Sequence, residues 1–210
     1  MKTTLLTVVS MSIALSVGAS GFPKMPSAGG GVSDDQKAIQ RYNSGLQHLE
    51  RAAALEKDAD PKQQAKARGE FEKAAKDFHG ATLLNEKMYQ AWTEEGFALR
   101  KSGKYDEALQ SYDRALQLKP NLSPALEYRA EAWLGLDRVE EAKQTYMLLF
   151  SGDRARADEL AAAMKQWLEK RKSDPGSVSA ETIGAFEKWL TERQQVATQT
   201  SDLRAPKQSW

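Results

Sequence analysis

The chain has 210 residues, with 30 Lys and Arg against 29 Asp and Glu, two His and no Cys. Charges of both signs are interspersed, as on solvated helix faces; no basic block points to nucleic acid or an anionic membrane, and there is no acidic tail. The lack of Cys excludes a disulfide framework and thiolate chemistry, so a domain of this size must hold itself together by packing.

The first twenty residues, MKTTLLTVVSMSIALSVGAS, carry Lys2, an apolar run over residues 5–17 and then small residues. This is the order of a signal peptide cleaved near Ala19 or Ser20, and the run is shorter than the roughly 20 residues a membrane span needs. The expectation is an exported, periplasmic chain with no stable span after cleavage. No Cys follows the cleavage site, so lipid modification is not expected. Residues 21–35 read as a flexible linker rich in Gly, Pro and Ser; no Gly-Lys-Ser/Thr follows its glycines, so it is not a phosphate loop.

Beyond the linker almost everything reads as helix. Residues 36–88 form an irregular helix pair, the first helix in QKAIQRYNSGLQHLERAAALEK and the second opened by Asp60-Pro61 and running to about Leu84. The clearest register lies in GKYDEALQSYDRALQLKP, residues 103–120, where Ala108, Tyr112 and Ala115 share one helix face. Two small residues flanking a ring make a face for close approach by another helix, which is packing and not chemistry. A shift of 34 residues backward aligns Tyr105, Ala108, Tyr112 and Ala115 with Phe71, Ala74, Phe78 and Ala81; the same shift forward gives Val139, Ala142, Tyr146 and Leu149. The preceding helix repeats as well, with Trp92, Gly96 and Leu99 mapping onto Leu126, Ala130 and Trp133.

On these residues the segment 89–122 resembles the tetratricopeptide repeat: Trp92, Gly96, Leu99 in place of the usual Tyr, Gly103, Tyr105, Ala108, Tyr112, Ala115 and Pro120. Residues 123–156 are a weaker copy, with Leu126 for Trp, Ala130 for Gly and Arg154 where Pro would stand. Ser123-Pro124 is expected to open that copy as N-cap and first helical residue. If Gly45 takes the small-residue role in the irregular pair, about 17 residues have been inserted, which makes it a lengthened helix pair. The resemblance implies an all-α fold of antiparallel helix-pair repeats, a TPR-like α-solenoid, with C-terminal capping helices. Those helices fall in residues 157–198, on the stripes Leu160, Met164, Trp167, Leu168 and Ile183, Phe186, Trp189, Leu190, with Ser179 as N-cap of the second. The first stripe caps the stack; the second caps it or docks a partner. Residues 199–210, ending in Trp210, read as a mobile tail.

No catalytic, metal-binding or cofactor-binding set emerges. His48 and His79 have no second ligand at helical spacing, no Gly-x-Ser-x-Gly elbow occurs, and Glu94-Glu95 and Glu140-Glu141 are sequence neighbours that diverge on a helix. The resemblance implies that the first helix of each pair lines a concave surface that takes peptides. Its lining here would be Gln90, Thr93, Phe97, Arg100 and Lys101, then Glu127, Glu131 and Leu134. Phe97 would be an anchor or a cover for the seam between repeats. Arg100 and Lys101 would meet a carboxylate, and Glu127 and Glu131 a basic side chain. The Lys/Asn/Arg set by which some relatives grip chaperone C-termini is not expected, because Thr93 and Phe97 stand where it would begin. The function expected is a non-catalytic adaptor or scaffold of the bacterial cell envelope that binds a protein or peptide. A self-associating structural subunit and a cell-wall-acting enzyme on a helical scaffold are the alternatives. If the Ala108 face is a packing seam, Ala108→Leu lowers stability by about 1–3 kcal/mol, measured as an earlier urea midpoint at unchanged slope.

Overall fold

The computed structural model describes Met25 and residues 33–204. The expected leader, most of the linker and residues 205–210 lie outside the described residues. Among the described residues there are eight helices and no strand, so the fold is all-α, assembled from antiparallel helix pairs. They fall into two compact units that part between Ser102 and Gly103, inside the 89–122 segment.

The first unit holds α1 (Asp34–Glu56), α2 (Pro61–Leu84) and α3 (Tyr89–Lys101). Ser33 starts α1 through a capping box, accepting from the Gln36 N–H while its own N–H donates to the Gln36 side chain. Asp60 caps α2 and Pro61 takes the first position, where a missing N–H costs nothing. At 23 and 24 residues, α1 and α2 are a lengthened pair. They approach closely at Gly45: a Cβ there would stand 2.7 Å from the Phe78 ring, closer than any side-chain carbon tolerates. Phe78 is wholly buried and leans on Tyr42 with ring centres 5.5 Å apart. Helix α3 joins through Phe97, whose ring meets Phe71 of α2 edge-on at 6.2 Å.

The second unit holds α4 (Tyr105–Leu118), α5 (Ser123–Gly135), α6 (Val139–Gly152), α7 (Arg154–Ser173) and α8 (Ala180–Arg204). Ala108, Tyr112 and Ala115 have no exposed surface, and the Tyr112 ring lies 6.4 Å from Tyr128 of α5. Ala130, Ala142 and Tyr146 are buried in the same way one repeat later. Helix α5 begins a residue sooner than expected: Leu122 takes the N-cap position, Ser123 and Pro124 are already helical, and no side chain caps the end. The exit from α6 needs no proline, because Asp153 ends α6 and its carboxylate caps α7, accepting from the Arg156 N–H at 3.2 Å.

The two C-terminal stripes are inward-facing. Leu160, Met164, Trp167 and Leu168 of α7 are buried, as are Ile183, Phe186 and Leu190 of α8. Trp167 meets Phe186 at 5.0 Å, and Trp189 reaches Tyr146 of α6 at 5.5 Å. Ser179 caps α8 through the Thr182 N–H. Helix α8 continues to Arg204, so residues 199–204, expected in a tail, are helical.

One departure from the repeat pattern fastens α7. Gly103 turns with φ 88°, a left-handed conformation that suits glycine, and 34 residues later the same turn is made by Asp137 at φ 61°. The Asp137 carboxylate accepts from Trp167 Nε1 at 3.0 Å and from Arg171 Nε and Nη2 at 2.8 and 3.0 Å. The backbone cost of an aspartate in that region is thereby offset by three hydrogen bonds to α7. Asp137→Gly relieves the backbone but removes the three acceptors, so the unit loses about 1–3 kcal/mol. Asp137→Ala also keeps the left-handed strain and loses about 1 kcal/mol more. Urea unfolding of both variants checks the order.

Candidate functional site

On α3, Thr93 has no exposed surface and its hydroxyl donates back to the Tyr89 carbonyl at 2.8 Å. Phe97 is buried at 5 % exposure, so of its two expected roles it fills the structural one, sealing α3 against Phe71. The Arg100 guanidinium lies over the Phe97 ring, 5.2 Å from its centre. Lys101 is engaged within the unit: its ammonium is 2.7 Å from Glu56, at the end of α1, and 5.4 Å from the Phe71 ring centre. The carboxylate expected to meet this basic feature is therefore one of the chain's own. Gln90 and Arg100 keep part of their surface in solvent.

On α5 the pattern repeats. Leu134 is buried, and Glu127 is buried with 2 % of its surface exposed. The basic side chain that Glu127 meets is Arg156 of α7, with Nη1 2.7 Å from Oε2; the same Nη1 lies 2.9 Å from Glu159 and 3.3 Å from the Tyr128 hydroxyl. Burial first, and then the charge of Glu131, push the Glu127 carboxyl up to about 8, against the pull of Arg156. The guanidinium is pushed up by its hydrogen bond to Glu127 against the cost of its own burial. Glu131 is half-buried on the same helix.

Sequence reasoning missed Arg156, although a signal for it exists. Cations in the first turn of a helix oppose its dipole, and α7 opens with Arg154 and Arg156. Each offsets that cost with partners: Arg156 as above, and Arg154 through the Ala197 carbonyl at 2.9 Å and the Phe150 ring.

The two histidines each hydrogen-bond to a carboxylate. His48 Nδ1 is 2.7 Å from Glu70, whose other oxygen takes Lys73 at 2.6 Å; hydrogen bonds from Lys73 and His48 hold the Glu70 carboxyl below the usual range. His79 Nδ1 is 2.9 Å from Glu95. Ser44 gives its proton to Asp77 at 2.5 Å and not to the nearby imidazole, so the geometry does not activate it as a nucleophile. Among the described residues no three His, Asp or Glu converge for a metal ion, and no helix is long and apolar enough to cross a membrane.

The Tetratricopeptide repeat family matches residues 89–122, a span that holds α3 and α4. No curated protein matches the chain.

The Glu127 carboxyl carries a pH signature. Its folded pKa of about 8 lies above the ordinary 4.5, so the folded state holds this proton more tightly than the unfolded chain. The stability it contributes is complete below pH 4.5 and is lost as pH rises toward 8. Glu127→Gln cannot titrate, so the stability of the parent relative to this variant falls across that window and levels off above it. Denaturant titrations of both proteins along a pH series measure the difference.

Proposed function

We propose that the chain is a non-catalytic adaptor of the bacterial cell envelope, exported by its N-terminal leader, that holds a protein or peptide partner on the first helices of its repeats. The observation that carries this reading is the tetratricopeptide match over residues 89–122, since such repeats generally mediate protein–protein contact. It is supported by the antiparallel pairs on either side, and by the use of the ring-bearing positions for packing, which leaves no organised chemistry on those helices.

Of the expected set, Gln90 and Arg100 on α3 and Glu131 on α5 keep part of their surface in solvent. Thr93, Phe97, Lys101, Glu127 and Leu134 are committed to packing or pairing inside their own units. A second reading, self-association, is favoured by one observation: Met147 and Leu148, side by side on α6, leave 44 % and 54 % of their surface in solvent.

A photo-crosslinking residue placed at 90 or 131 in the exported protein, in its own envelope, tests the choice. Under the adaptor reading it captures one partner, and an Arg100→Glu/Glu131→Lys protein with unchanged thermal unfolding, probed from 90, loses that product. Adducts of the chain with itself alone support self-association, and no adduct from either position overturns the adaptor reading.

A further inference from the structure

Helix α1 already holds a piece of main chain. The Met25 N–H donates to the Asn43 carboxamide oxygen at 3.0 Å, and the Asn43 amide nitrogen donates to the Met25 carbonyl at 2.7 Å. A carboxamide presents an acceptor and a donor side by side, so it can pair with both groups of a single residue. That pairing reproduces what a neighbouring β-strand does, and it suits a residue whose N–H and C=O point the same way, as in extended chain. Pro26 follows Met25 in the sequence and biases it away from helical backbone toward extended conformations. Nothing in the two bonds reads the Met25 side chain. Ile39 and Leu46, one turn before and after Asn43 on the same face of α1, are both half-buried, as is Met25 itself.

We propose that Asn43, flanked by Ile39 and Leu46, is a seat for one extended residue of a peptide, with an apolar side chain at that residue and proline after it, and that Met25 fills the seat when no partner strand does. The main-chain bonds supply affinity without regard to sequence, and the Ile39–Leu46 pair selects the apolar residue. Use of the seat by a partner rests on the adaptor reading; the seat itself does not. A tethered occupant acts at an effective concentration on the order of millimolar, so a free strand competes poorly until the tethered one is disabled.

The test uses the full chain and the free peptide Phe-Pro-Lys-Met-Pro-Ser-Ala, which copies residues 22–28. Met25→Pro removes the donated N–H from the tethered residue and leaves Asn43 untouched. The Asn43 side-chain amide resonances and the Ile39 and Leu46 methyl resonances report occupancy directly. Half-saturation by the peptide is expected at a concentration about tenfold lower in Met25→Pro than in the parent protein. The same peptide N-methylated at its methionine, which lacks the donor, is expected to bind Met25→Pro about tenfold more weakly. In Met25→Pro/Asn43→Leu the methyl shifts disappear, while the remaining spectrum shows the fold intact. Equal half-saturation in parent and Met25→Pro, equal binding of the N-methylated peptide, or no shift in any protein overturns the proposal. The envelope crosslinks are read from residues 90 and 131, so a failure there leaves the seat standing, and a failure here leaves the adaptor reading standing.

Discussion

Helices in this protein are brought together by rings resting on residues with almost no side chain. Phe78 crowds the place that a Cβ on Gly45 would take, and the alanines at 108, 115, 130 and 142 are wholly buried along the repeats. An alanine buries little area itself, but it lets the backbones approach until a neighbouring ring fills the remaining volume. A buried aromatic ring removes some 150–250 Å² from water, at about 25 cal/mol for each Å² of apolar surface. In a chain with no Cys, this geometry does the work that cross-links do in small exported domains.

Charge is managed by the same economy of contact. Lys101 turns to Glu56, Arg156 to Glu127 and Arg171 to Asp137, each pairing joining two elements within one unit. The three carboxylates differ in what surrounds them. Glu127 is the most deeply buried, and its titration is governed by loss of water more than by its cation. A charge already matched inside the fold has little left to offer a ligand.

The helices and their buried faces were readable from the chain because amphipathic spacing is local: Ala108, Tyr112 and Ala115 announce a seam within eight residues. The 34-residue register extended that reading across the repeats, and Gly45 was legible as a small-residue contact despite the long insertion beside it. What escaped was whatever depends on distant partners. Glu127 reads as a surface acid in sequence, yet α7 brings Arg156 to it from 29 residues on, and the choice between anchor and seam cover at Phe97 depends on Phe71, which lies on another helix. Asn43 carries no periodic signal at all, since the groups it pairs with belong to main chain, which leaves no mark in side-chain pattern. The start of α5 slipped by one residue because a proline is tolerated at either of the first two helical positions.

The left-handed aspartate also bears on how such an array can grow. Repeat proteins lengthen by duplicating a unit, which works when each copy offers its neighbours the same surface. Asp137 breaks that equivalence, because its carboxylate is written for one particular successor, the helix bearing Trp167 and Arg171. A tandem copy of residues 123–156 would bring its Trp133 to the place of Trp167 but a second aspartate to the place of Arg171, leaving the first carboxylate without its guanidinium and facing a like charge. Glycine at the same place, as at Gly103, would accept any neighbour. The turn thus works as a terminus mark, closing the array to duplication at this end while the turn before it stays permissive.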